Sequence, residues 1–242
     1  MKKLTAAFCV ALTLTLVCVG LYVLMFAPDS SSELLLSLGL RAEQKGRQSR
    51  AAYFYEQALT LNPYSVQARL HLTALLRRQF KNTRAEELLR EGIAYLPSNA
   101  AFYTELSSLL VGQGRLSDAV QALNGAGSGV AGLRIGSLRP TVQASPAPGV
   151  YSRPVLFRIT AEPGLSYYYT LDGSVPDLSS ARYTAPLSLT NSAVYRIRVI
   201  ALGGSSLPSR LYEYTYDLTG LGPRAVASGG GFSVCPHCGR SF

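Results

Sequence analysis

From residue 32 to 126 the apolar positions recur at three-and-four spacing, the pattern of helices that bury one face. The pattern itself repeats with a period of 34 residues. Ala51, Ala85 and Ala119 fall one period apart, as do Tyr55, Leu89 and Leu123, and Leu38, Leu72 and Leu106. Each period is long enough for two helices. Pro63 and Pro97 close two units at the same interval, because proline cannot donate the next helical hydrogen bond. Gly39, Ala51 and Ala58 are small where paired helices must approach closely. The prediction is a short stack of helical hairpins, an architecture whose extended surface holds other molecules.

The first unit, 32–65, reads Leu35, Leu38, Gly39, Ala42, Ala51, Tyr55, Ala58, Pro63, and this order resembles the tetratricopeptide repeat. The second, 66–99, departs from it, with Thr73 at the early glycine and Gly92 at the late alanine. The third, 100–126, keeps Tyr103, Leu106, Ala119, Leu123 and Ala126. It then runs into Gly125, Gly127, Gly129 and Gly132 without a closing proline. The resemblance therefore covers 32–126. It implies that the first helix of each hairpin lines a groove that takes a protein or peptide. In that register the groove residues are Glu43 and Gln44, then Arg77 and Arg78, then Thr104 and Ser108. Adjacent arginines can pair bidentately with carboxylates. Residues 127–139 read as a flexible glycine-rich linker, which leaves the apolar end of the last hairpin to be covered by something else.

From 140 to 218 the helical period gives way to alternation. Val155, Phe157 and Ile159 alternate with Leu156, Arg158 and Thr160. Tyr195, Ile197, Val199 and Ala201 alternate with arginines over the first part, and Tyr212, Tyr214 and Tyr216 with Glu213, Thr215 and Asp217. Turn signals at 162–164, 172–174 and 203–205 separate the runs, which predicts a small antiparallel sandwich. The stretches 145–151, 168–176 and 183–187 resemble the chitobiase/β-hexosaminidase C-terminal-like domain, an immunoglobulin-like accessory module of bacterial surface proteins and glycosidases. That resemblance implies a spacer role, sometimes near carbohydrate, with no catalytic residues to carry over. Tyr167, Tyr168 and Tyr169 are consecutive, so at least one must face outward in a strand and can stack on a sugar or on a cross-strand neighbour. Asp172 and Asp177 read as turn caps rather than calcium ligands.

At the other end, Lys2 and Lys3 precede an uncharged stretch, 4–27, long enough to cross a bilayer as a helix. With no good cleavage site before Pro28, residues 1–28 read as a retained signal anchor. The lysines before it and Asp29 and Glu33 after it place the N-terminus in the cytoplasm and everything later outside the cell membrane. Ser30 and Glu33 have capping-box spacing, which starts the first helix close to the membrane. The expected fold is thus multidomain: a transmembrane helix, an all-α repeat array, an all-β immunoglobulin-like sandwich, and a glycine-rich tail, 219–242.

The tail carries Cys235-Pro236-His237-Cys238-Gly239, which resembles one knuckle of a zinc ribbon. Two thiolates make half of a structural zinc site, so zinc at Cys235 and Cys238 requires a second copy of the chain and implies a homodimer. An exposed disulfide or dithiol, or a remnant without function, are the alternatives. The formal charge of +9 is spread along the chain without a basic arm, which argues against nucleic acid. The two histidines lie in unrelated segments and no phosphate-cradling loop follows a strand, so no enzyme is expected. The leading reading is a membrane-anchored interaction scaffold. Two others stand beside it: a wall- or carbohydrate-associated accessory protein, and a zinc-assisted dimeric scaffold facing the cytosol.

Overall fold

The computed structural model describes residues 28–203 and 207–221, together with Thr15, Val17 and Cys18. It divides into two compact units. One runs to Pro140 and includes Ser205–Pro208; the other holds Thr141–Gly204 and the chain from Ser209 onward. The anchor expected at 1–28 and the cysteine knuckle at 235–238 fall almost wholly outside the described residues. Among the described residues, no helix is long and apolar enough to cross a membrane.

Seven helices of the first unit lie within the described residues: α1 (Pro28–Gln44), α2 (Gln48–Leu61), α3 (Val66–Arg78), α4 (Asn82–Tyr95), α5 (Ala100–Gly112), α6 (Leu116–Asn124) and α7 (Val130–Gly136). Helices α1 to α6 form the three hairpins, each helix packing on the next. The in-phase positions are buried, except Leu38, which is half-buried. Ala51, Tyr55, Leu72, Ala85, Leu89, Leu106 and Ala119 belong to one continuous core cluster. The helix starts after Pro63 and Pro97 are capped by Ser65 and Asn99, whose side chains accept from the Ala68 and Ala101 amides.

Two expectations change here. Helix α1 already includes Pro28 and Asp29, so Ser30 and Glu33 lie within the helix and do not open it. The serines lie inside α1, and buried Ser32 donates instead to the Ala58 carbonyl of α2 at 3.1 Å. The glycine-rich stretch 127–139 is not a linker throughout, for it contains α7. Ala131 and Ile135 of that helix are buried with Tyr103 of α5 and Leu123 of α6. Burial of two apolar side chains on a ready-made surface outweighs the poor helix propensity of its glycines.

The third unit departs from the repeat in a way that carries a cost. Gly39, Thr73 and Ser107 occupy equivalent positions, each turned toward the partner helix. Thr73 donates its hydroxyl to the Arg69 carbonyl at 2.8 Å. Ser107 is fully buried, and its Oγ has no hydrogen-bond partner among the described residues. Ser107→Ala is therefore expected to stabilise the array, by about 1 kcal/mol, since a buried unpaired hydroxyl costs that much or more. Urea unfolding of the two proteins checks it; a loss of stability would mean the hydroxyl is paired.

The second unit is a two-sheet sandwich. Strands β1 (Ala144–Ser145), β3 (Val155–Ile159) and β6 (Leu187–Leu189) form one sheet, in the order β1-β3-β6. The other is ordered β2-β8-β7-β4-β5, from β2 (Gly149–Val150), β4 (Leu165–Thr170), β5 (Ala181–Arg182), β7 (Val194–Gly203) and β8 (Tyr212–Asp217). These strands pair antiparallel, except β2 with β8. The alternation read from the sequence is realised: Val155, Phe157 and Ile159 point inward with Ile197, Val199 and Ala201. Tyr167 is buried, Tyr169 packs on the same core, and Tyr168 takes the opposite face. The inward tyrosines satisfy their hydroxyls. Tyr214 and Tyr216 donate to the Val142 and Pro146 carbonyls, and burial pushes the Tyr216 phenol up to about 12.

Asp172 and Asp177 act as turn caps. Asp172 accepts from the Ser174 amide, and Asp177 from the Ser179 and Ser180 amides. Side-chain hydrogen bonds from Ser174 and Ser179, with the backbone amides, hold both carboxyls below the usual carboxylate range.

Candidate functional site

The first helices of the hairpins are α1, α3 and α5. The 34-residue register aligns Leu36, Leu70 and Thr104, then Leu40, Ala74 and Ser108, then Glu43, Arg77 and Val111. On each helix these positions are four and then three residues apart, so they form one stripe along one face. Leu36, Leu40, Leu70 and Val111 are only partly buried, each packing on the core with one side open. At the first two hairpins the stripe is apolar at Leu36, Leu40, Leu70 and Ala74 and ends in a charge, Glu43 or Arg77; at the third, polar Thr104 and Ser108 precede apolar Val111.

Charges border this stripe, and the structure pairs them. Arg78 donates to Glu43 Oε1 at 3.0 Å, joining α3 to α1. Arg77 donates to Glu105 Oε2 at 3.1 Å, joining α3 to α5. The two arginines are therefore already held by carboxylates of the neighbouring first helices. Arg78 remains 60% exposed, so its guanidinium keeps free donors facing solvent.

Glu43 does more than line the face. Its Oε2 accepts from the Tyr55 hydroxyl at 2.8 Å and lies 3.4 Å from His71 Nδ1. The Tyr55 ring stacks on His71 with centroids 5.5 Å apart. Burial, then the hydrogen bond and charge of Glu43, raise the Tyr55 phenol far above its ordinary value. Glu43 thus ties α1, α2 and α3 together while facing the stripe. Of the other expected site residues, Gln44 and Ser108 are exposed, and Thr104 turns its hydroxyl to the Ala101 carbonyl at 3.0 Å.

Glu105, Tyr55 and His71 escaped the sequence reading as parts of this site. A signal was present: Glu43 and Arg78 are 35 residues apart, one period plus one, which places opposite charges side by side on adjacent first helices. A second carboxylate hub lies on the second helices. Glu86 of α4 accepts from Arg90 and from Arg115, each at 2.7 Å. Burial alone would raise its carboxyl; the bonds from Arg90 and Arg115 outweigh it and hold the group below its ordinary value. This hub locks the third hairpin to the second and faces away from the stripe. Among the described residues, no group of His, Cys, Asp and Glu is placed to hold a metal ion.

No curated protein matches the chain. Among solved structures, the type III secretion translocator chaperone SycD of Yersinia enterocolitica is 21% identical, with a TM-score of 0.37 over 40% of this chain and 73% of that one. MamA of Desulfovibrio magneticus RS-1 is 24% identical, TM-score 0.34, over 39% of this chain and 54% of that one. PilF of Pseudomonas aeruginosa is 25% identical, TM-score 0.37, over 42% of this chain and 46% of that one. The chain thus spans about half the length of these last two. Residues 146–211 match the model of the chitobiase/beta-hexosaminidase C-terminal domain.

Proposed function

We propose that the chain is a scaffold that holds a protein or peptide segment along α1, α3 and α5. The observation that supports this reading is the half-open apolar stripe of Leu36, Leu40, Leu70 and Ala74, bordered by the Glu43–Arg78 and Arg77–Glu105 pairs. Folding alone does not require a stripe of leucines with one side in water. A segment that lays apolar side chains on it and offers a carboxylate to the open donors of Arg78 satisfies both features. Residues 4–27 serve as the membrane anchor in this reading, with the C-terminal domains outside. The sandwich is an accessory spacer.

Site-specific photo-crosslinking tests the face. A crosslinker at Gln44 or Ser108 should capture the same partner, whereas one at Glu87, exposed on α4, should not. Capture from Glu87 with none from Gln44 and Ser108 would move the binding surface elsewhere.

A further inference from the structure

The turns inside the three hairpins share one geometry. At equivalent positions, Gly46 has φ +69 and Gly114 has φ +81, the left-handed conformation that glycine adopts freely. The second hairpin places Phe80 there, with φ 58. A bulky side chain at positive φ is a strained choice. The ring recovers little by packing, since Phe80 is 88% exposed. Backbone strain of this kind clusters at functional sites, and here no burial of the side chain offsets it.

Its surroundings are cationic. Arg41, Lys45, Arg47 and Arg50 sit on and beside the α1–α2 turn, and Lys81 follows Phe80. All five are exposed, and none is in an ion pair among the described residues. The contrast is sharp, for Arg69, Arg77, Arg78, Arg84, Arg90 and Arg115 each engage a carboxylate. Neither α2 nor α4 has an acidic residue in its first turn to offset these charges. A shallow depression of about 420 Å³, lined by Gly46, Arg47, Gln48, Ser49 and Arg50, opens beside the first turn. In a stack of hairpins the intra-hairpin turns line a single edge, so Phe80 and the cations share it.

We propose that this edge docks on an anionic lipid surface, with Phe80 entering the headgroup–acyl boundary and Lys45, Arg47, Arg50 and Lys81 engaging lipid phosphates. Charge complementarity requires a negative partner. The aromatic stands alone at the apex of a turn, and a protein partner would need a preformed pocket for it. A bilayer accepts a protruding ring of any shape, and cations with an inserted aromatic are the combination that holds a peripheral surface there. This docking is separate from the peptide-holding stripe and does not depend on it.

The chain contains no tryptophan, so Phe80→Trp creates a single reporter. The full chain is reconstituted into vesicles of phosphatidylcholine alone or with phosphatidylglycerol. The local reporter is read rather than sedimentation, because residues 4–27 can carry the chain to vesicles by themselves. Emission from the introduced indole should shift to the blue and be quenched by brominated lipid in the anionic vesicles only. High salt, or the triple change Lys45→Glu, Arg47→Glu, Arg50→Glu, should abolish both effects. Thr83→Trp, which leaves Phe80 in place, provides the same reading should residue 80 not tolerate the exchange. An unquenched reporter on anionic vesicles overturns the proposal. So does equal quenching in neutral vesicles, or a shift that arises only when a soluble protein is added.

Discussion

Replacing Arg69 with alanine is expected to lower the stability of the helical array by about 3–5 kcal/mol, the size expected when a large buried side chain is removed together with the hydrogen bonds it donates. Arg69 is 2% exposed although its register position is one where the other units carry Leu35 and Tyr103. Its Nη1 donates to the Leu88 carbonyl at 2.9 Å and to Glu91 at 3.2 Å, and its Nη2 donates to the Pro63 carbonyl at 2.9 Å. The guanidinium carbon lies 5.5 Å from the centroid of the Tyr95 ring. Glu91 is half in water, so its loss of a partner matters little. Most of the cost comes from the cavity and from the carbonyls left without donors, at about 1–3 kcal/mol for each unsatisfied group.

Gly92 belongs to the same arrangement. A Cβ there would meet Arg69 Cδ at 2.5 Å and Phe102 Cε2 at 3.1 Å, so the late alanine of the repeat gives way to glycine to let the arginine pass. The two departures from the repeat in this hairpin therefore compensate each other. Gly92→Ala should cost clearly less in an Arg69→Leu background than in the native chain. A double-mutant cycle by urea unfolding measures this, and additive costs would separate the two residues. A loss below about 1 kcal/mol for Arg69→Ala would contradict the account of buried unsatisfied carbonyls.

The second large effect is expected at Gly39→Ala, at about 3 kcal/mol, the upper part of the range for overpacking a dense core. A Cβ on Gly39 would overlap the Tyr55 ring, standing 2.7 Å from Cδ1 and nearer still to Cε1. The ring has no room to yield. It is fully buried, stacked on His71 and fastened by its hydroxyl to Glu43. The register equivalents show the alternative solution: Thr73 and Ser107 stand where Gly39 does, and Leu89 and Leu123 where Tyr55 does. Gly39→Ala combined with Tyr55→Leu should recover part of the loss. Thermal unfolding of the single and double variants checks it, and a single variant as stable as the native chain would show that the ring moves.

These residues mark what the sequence made legible and what it did not. Period and phase located the hairpins because Ala51, Ala85, Ala119 and their companions are selected by close packing, which acts on neighbours one turn or one helix away. The strands were readable for the same reason, from alternation at Phe157, Ile197 and Tyr216. Departures from the repeat were visible as departures, yet their cause was not, since Gly92 is explained only by an arginine in the preceding helix, Arg69. Arg77 and Arg78 read from the sequence as a pair open to a ligand's carboxylate, whereas their partners Glu43 and Glu105 come from the neighbouring hairpins and become visible only in the fold. Helix α7 was hidden because its glycines oppose helix formation locally and only the surface of Tyr103 and Leu123 supports it.

That closing helix also sets a length. With α7 packed where a further hairpin would continue the stack, α1, α3 and α5 are the helices among the described residues that contribute to the stripe. First helices of successive hairpins stand about 10 Å apart, so three of them offer about 20–30 Å of contact. At about 3.3 Å per residue, an extended occupant fills this with roughly six to nine residues. On the proposed function, such a length suits a short linear motif, too brief to grip a folded domain and long enough to read one tail or loop.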